Sequence, residues 1–475
     1  MSLKIGLIRA SLPSYFPDKH HVWDQTDRSL NKLCAREQAE LFVVPDIPMD
    51  ARDTQKALDL CAGEAVDFIL LLHGGFTMGD VARTVAASPF RAGFWSVPEP
   101  VRTGDVQLNN FVSLNMSMSI SRQVRDLKKR PVQWYHGSPD STAFTERFAT
   151  TLRALRVAKS LQNARIAVVG GLAMTFYNME ISTNALRSRL GVDVAHHDMH
   201  ELTGRMAALP QDRVNAEIQL MADAARIDGV SDDQMVLTAQ AALALRDIAH
   251  EGQYSALAVS DWPALQDNPG MHPGAAFTWL EEKDGIPIAS EGDVLGAVTQ
   301  LAVKSLSGRV GYLLDMTEPD LDAGQLLVWH GGGGPLYLAD NQGARWINHP
   351  MIGRGTEAGP IYGAISDLVF KDGPVTLMRV ARDAGALFQM QATVSGRSPS
   401  GFTGCRGWLQ EFAIDGQEAT LEDVVATVMA HGLEHHFVLV PGDYSDAIAE
   451  FGAWTGMNVL GLRRMRTHLD LRDFS

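Results

Sequence analysis

Cysteine is scarce: Cys34, Cys61 and Cys405 are the only three in 475 residues, and they lie far apart in the chain. That excludes a disulfide framework and a C-x-x-C metal knuckle, and it fits a reducing, cytoplasmic setting. Basic residues are also in deficit, with 41 Lys and Arg against 56 Asp and Glu and a formal net charge of −15. Such a surface repels phosphate backbones and anionic lipid, so no nucleic-acid or membrane partner is expected. A neutral polar ligand, or a local cationic pocket, is not excluded. Long hydrophobic runs are missing as well. The opening MSLKIGLIRASLPSYF breaks at Ser11, Pro13 and Ser14, which spoils a signal-peptide core, and no stretch reaches the ~20 apolar residues of a membrane helix.

What is present is an ordinary globular composition, 45% hydrophobic and 20% charged, in a chain too long for one core. KIGLIRA (4–10), ELFVVPDI (40–47) and DFILLLHGG (67–75) are short, apolar and stopped by Pro or Gly, as buried strands are. Amphipathic segments lie between them, which implies βαβ units and a parallel sheet. The helical pattern at 142–163 leads to a second start of the same kind, with RIAVVGG (165–171), the strand VDVA with its exit loop HHDMHEL, the helix 232–252 and YSALAVSDW (254–262). Beyond about residue 306 strands crowd together: VGYLLDM, GQLLVWH, VTLMRVARD and ALFQMQATV. The expected fold is therefore α/β, with two Rossmann-like parallel-sheet domains (1–162 and 163–305) followed by a β-rich C-terminal domain (306–475).

The chemistry concentrates between 286 and 340. Glu291 follows an apolar strand and precedes the helical VLGAVTQLAVKSL, Asp315 ends GYLLD, and His330 ends QLLVWH before four glycines. Ligand groups collect at the carboxyl ends of strands in α/β proteins. Carboxylate and imidazole together suit Mn²⁺, Mg²⁺, Fe²⁺ or Co²⁺ rather than structural zinc. The glycines at 331–334 leave room for close backbone approach, yet no Gly-Lys-Ser/Thr follows to make a phosphate loop. The bland alternative is that these acids cap helices or meet solvent. A second cluster, GLEHHFVLVPGDY (432–444), opens a strand with His435 and His436 on opposite faces, so one of the two can enter a site. The tract HHDMHEL lacks the helical H-E-x-x-H arrangement of a zinc site and is expected to be a solvated loop.

Glu291-Gly-Asp, then Asp315, then His330 in a W-H-G segment, then His435-His436 on a C-terminal strand, resembles the L-fucose/L-arabinose isomerase family, in particular its fucose-isomerase-like branch. The resemblance covers essentially the whole chain. It implies an aldose–ketose isomerase with one divalent ion, Mn²⁺ first among the candidates, held by Glu291, Asp315 and His436, with His330 as a further ligand. Glu291 and Asp315 would double as the acid/base pair that moves a proton between C1 and C2 through an ene-diol. It also implies a homo-oligomer, trimer or hexamer, in which the first domain lines a neighbour's site. Arg9, His73, Trp95 and Asn110 are accordingly expected to contact the sugar; Tyr177, Asn178 and Glu180, after the glycine turn at 170–171, are expected to bind its hydroxyls, and Arg397, Arg406 and Trp408, in a polar Gly/Ser-rich loop, to hold an anionic substituent. Two other readings compete: a non-catalytic sugar-binding protein built from paired α/β lobes, and a metal-dependent sugar lyase or epimerase that uses the same ene-diolate.

Overall fold

The computed structural model of the chain describes residues 2–15, 17–331, 333–349, 363–395 and 402–464. Two compact units divide it: the first comprises 1–159 with 450–456, the second 160–449 with 457–475. Among the described residues no helix is long and apolar enough to cross a membrane.

The first unit is built on a five-stranded sheet of β1 (Leu3–Ala10), β2 (Ala39–Val43), β3 (Phe68–His73), β4 (Arg91–Ser96) and β5 (Val132–His136), in the order β2-β1-β3-β4-β5. Every pairing is parallel. FILLLH is buried at each of its six positions, as expected of a central strand covered on both faces.

The second unit holds two sheets. Strands β6 (Arg165–Val169), β7 (Asp193–His197), β9 (Ala256–Val259) and β10 (Ile288–Ala289) form a parallel sheet in the order β10-β9-β6-β7. Its core gathers Ala167, Val169, Leu257 and Val259 with Leu245 and Ile248 of the helix Asp232–Glu251. The intervening β8 (Arg226–Asp228) leaves this sheet and pairs in parallel with a later strand, β13 (Arg345–Asn348). The tract after β7 is not a loop. Asp198 accepts the His200 N–H at 2.7 Å and starts the helix Met199–Ala208, an N-cap with Glu201 three residues on that the histidines obscured. His197 is bound between Glu201 and Tyr254.

The remaining strands are β11 (Tyr312–Asp320), β12 (Gln325–Trp329), β14 (Ala364–Val369), β15 (Gly373–Ala381), β16 (Ala386–Val394), β17 (Cys405–Ile414), β18 (Gln417–Ala419), β19 (His436–Pro441) and β20 (Asn458–Val459). Six of them run β16-β15-β19-β11-β12-β17, and β17 pairs back to β16. All six pairings are antiparallel, so the ribbon closes on itself and leaves no free edge among these strands. Tyr312, Leu314, Val328, Leu377, Phe388, Leu409 and Phe437 belong to the core of this closed sheet. The α/β sheets followed by a β-rich region agree with the fold read from the sequence.

Candidate metal centre

Register brings the site together. In the antiparallel ladders Asp315 on β11 faces His436 on β19 on one side and Trp329 on β12 on the other. Residues directly opposite in such a ladder project from the same face, so Asp315 and His436 converge, and His330 arrives one residue beyond β12. Asp315 is thus mid-strand rather than at a strand end.

Glu291 comes from the other sheet. Strand β10 ends at Ala289, and Ser290–Gly292 forms one tight helical turn before the helix Val294–Ser307. Glu291 has φ 60° and ψ 12°, left-handed backbone that a residue with a Cβ rarely adopts. Two contacts hold it there: its N–H donates to Asp261 Oδ1 at 2.6 Å, and its carbonyl accepts the Ala173 N–H at 2.9 Å. Gly292 follows at φ 72°, where a Cβ would overlap the Gly171 carbonyl. Only glycine allows this approach.

Three side chains meet around His436 Nε2. It lies 3.3 Å from His330 Nε2, 3.5 Å from Glu291 Oε2 and 3.9 Å from Asp315 Oδ1. Donors about 2.1 Å from one ion sit roughly 3.0 Å apart when adjacent and about 4.2 Å apart when opposite, so each of these distances taken singly suits two ligands of one divalent ion. Asp315 Oδ1 is buried and accepts no hydrogen bond from the described residues, an arrangement that costs free energy unless a cation satisfies it. Among the described residues two triads can hold a metal, Glu291–His435–His436 and Asp315–His330–His436, and both use His436. Oxygen with imidazole nitrogen is a donor set for Mn²⁺ or a similar ion.

Both neighbouring histidines reach the site. His435 Nε2 is 3.2 Å from Glu291 Oε2, its Nδ1 is 3.0 Å from Asn178 Nδ2, and its ring lies 5.3 Å from that of Phe176. The strand begins only at His436, so the alternation expected of a strand does not yet govern His435.

The electrostatics suit a cation. Burial raises the Asp315 carboxyl above its ordinary range, with Glu291 adding to the effect against His436 and His435. Burial lowers His330 well below the usual histidine value, and so keeps it neutral. Burial also disfavours charge on His436, but the Asp293 hydrogen bond and the surrounding carboxylates raise it overall. Behind these side chains Asp261 is pushed up to about 7 by burial, and His272 and His349 pack ring to ring at 4.6 Å, both lowered by burial.

The remaining expected residues take other places. In the first unit His73 is fully buried, with Nε2 2.9 Å from Ser117 Oγ, and burial lowers it to about 3. Trp95 is also fully buried, stacked on Phe144 at 3.9 Å, and donates to the Gly137 carbonyl. Arg9 pairs with Asp27 at 3.2 Å, and Asn110 is buried at the start of the helix Asn110–Val124. In the second unit Tyr177 is 78% exposed. Arg406 is committed to Asp367 and to the Gly404 carbonyl, each at 2.7 Å, and Trp408 is buried. Arg397 lies outside the described residues, as does Gly332 of the glycine run, while Gly334 packs where a Cβ would strike Cys405 and Tyr312.

The sequence reading passed over Asp261, Asp293 and Arg379. A signal existed for two of them: Asp261 ends the apolar ALAVSD, and Arg379 is the one charge within the apolar VTLMRVA.

No family model matches the chain. It is similar along most of its length to proteins named sulfoquinovose isomerase. That of Priestia aryabhattai is 26% identical over 412 residues, which cover 86% of this chain and 88% of the relative, and that of Priestia megaterium matches to the same extent. The Alkalicoccus urumqiensis protein is 27% identical over 366 residues, 75% of this chain and 77% of its own. By this likeness the chain is an aldose–ketose isomerase.

Proposed function

We propose that this isomerase interconverts sulfoquinovose, a glucose with a sulfonate in place of the C6 hydroxyl, and the corresponding ketose, and that it needs a divalent ion of the Mn²⁺ kind. The approach of donor atoms of Glu291, Asp315 and His330 to within 3.9 Å of His436 Nε2 carries the metal reading, and the relatives' shared name carries the substrate. The likeness to the fucose/arabinose isomerase family supports both the ligand set and a homo-oligomer.

When bound, the ion polarises the sugar carbonyl and offsets the negative charge that develops on its oxygen. Glu291 and Asp315 approach from different sheets, so one carboxylate can take the proton from C2 while the other serves the hydroxyl oxygen. His330, kept neutral by burial, supplies a nitrogen lone pair without adding positive charge, and His436 supplies a second when its Nε2 carries no proton. The left-handed turn fixes Glu291 in direction before substrate arrives, which removes a rotational cost from the proton transfer.

The test is to incubate metal-stripped protein, with and without Mn²⁺, in deuterated water with sulfoquinovose, and with glucose and L-fucose as comparisons, while following C–H exchange by proton NMR. Mn²⁺-dependent exchange beside the carbonyl, with ketose appearing from sulfoquinovose at least tenfold faster than from glucose, is the expected result. Exchange that favours L-fucose would move the substrate, and exchange indifferent to chelation would remove the metal.

A further inference from the structure

Asp293 lies two residues after Glu291 and is fully buried, as are His436 and Arg379. Its Oδ2 is 3.0 Å from His436 Nδ1 and takes one guanidinium nitrogen of Arg379; its Oδ1 takes the other at 3.1 Å and the Gly296 N–H at 2.8 Å. On the far side of the guanidinium, Arg379 Nε is 3.8 Å from Glu434. Arg379 sits on β15 among Val375, Leu377, Met378, Val380 and Ala381, all buried. A buried ion pair of this kind contributes little net stability over an apolar replacement of similar volume. Stability therefore does not explain it.

We propose that Asp293 and Arg379 are positioning residues for His436: they hold its imidazole in the tautomer protonated at Nδ1, so that the Nε2 lone pair faces Glu291, Asp315 and His330. The role in metal binding rests on the proposed metal centre. An ionised carboxylate only accepts hydrogen bonds, and two guanidinium bonds keep Asp293 ionised, so the ring proton of neutral His436 belongs on Nδ1. With all three side chains fully buried no water competes for that proton. The outer partner of a ligating histidine sets its tautomer and ring direction in just this way. Asp293 also caps the helix Val294–Ser307, so one carboxylate ties the segment carrying Glu291 to the strand carrying His436.

The double variant Asp293→Asn/Arg379→Met tests this without leaving a guanidinium buried and unpaired. The amide oxygen can still cap Gly296, while the amide N–H₂ faces His436 Nδ1, which must then accept and move its proton to Nε2. In metal-free protein with ¹⁵N-labelled histidine at about pH 9, above the ordinary histidine range, NMR should show Nδ1–H at His436 in the wild type and Nε2–H in the variant. His436→Gln identifies the signal. Mn²⁺ affinity measured by calorimetry should fall about 10–100-fold in the folded variant. Should that variant not fold, Arg379→Lys, which keeps the charge and loses the two-pronged grip, should weaken Mn²⁺ severalfold. A wild-type His436 protonated at Nε2, or a folded variant that binds Mn²⁺ as tightly as wild type, overturns the proposal. A wild type that shows Nδ1–H yet binds no divalent ion sinks the metal reading and leaves the tautomer assignment standing.

Discussion

Glu291 occupies left-handed backbone that costs on the order of 1–3 kcal/mol for a residue with a Cβ. Its N–H bond to Asp261 and the close approach of Gly292 to Gly171 offset that cost. Gly292→Ala should destabilise the protein by at least about 2 kcal/mol in urea unfolding, because strain and overlap add at one position. Glu291→Gln is different. The amide fills the same space and leaves the backbone bonds in place, so thermal unfolding should shift by no more than a few degrees while turnover falls at least 10³-fold. Retained turnover would assign the acid/base work elsewhere.

At the level of elements, the antiparallel register of β11 with β12 and β19 carries the centre. Sliding β19 by one residue would turn His436 away from Asp315 and put Phe437 in its place. The helix Leu421–His431 leads into this strand through Gly432, which has φ 58°. It starts with a reciprocal cap in which Thr420 accepts the Asp423 N–H and Asp423 accepts the Thr420 N–H. Thr420→Ala should cost about 1 kcal/mol in global stability. The Mn²⁺ affinity of the folded protein should stay unchanged, as calorimetry would show, since the register of β19 is set by its neighbours in the closed sheet rather than by the helix.

For the whole molecule, each compact unit has its own buried core, and the candidate ligands all belong to the second. Differential scanning calorimetry should resolve two transitions, with Mn²⁺ shifting only the one that belongs to the second unit. The added stability should approach about 2.7 kcal/mol at a hundredfold excess over Kd. The second unit should also show an acid limb. Glu217 is buried, and although burial alone would raise it, Arg246, Lys283 and Trp279 hold its carboxyl below the usual glutamate range. A carboxylate with a depressed folded pKa binds fewer protons folded than unfolded. Its contribution is thus complete above about pH 4.5, the unshifted value, and is lost as pH falls through the folded value. Glu217→Gln should lower stability at neutral pH and flatten the decline in acid, read from urea midpoints across pH 3–7.

Local patterning alone determined the α/β order and the strand-rich end, and it singled out Glu291, Asp315 and His330 as polar groups at the ends of apolar runs. That signal survives in one dimension because burial forces apolar residues into short contiguous segments and leaves exceptions visible. The tertiary structure decided the rest. Antiparallel pairing of β11 with β12 and β19, not a shared row of parallel strand ends, sets Asp315 opposite His436 and ends β12 one residue before His330. The pairing with β19 links residues more than a hundred positions apart, a separation on which no local pattern depends. The same holds for Asp261, Asp293 and Arg379: each acquires its role only when folding removes water from around it and brings partners from distant segments within reach.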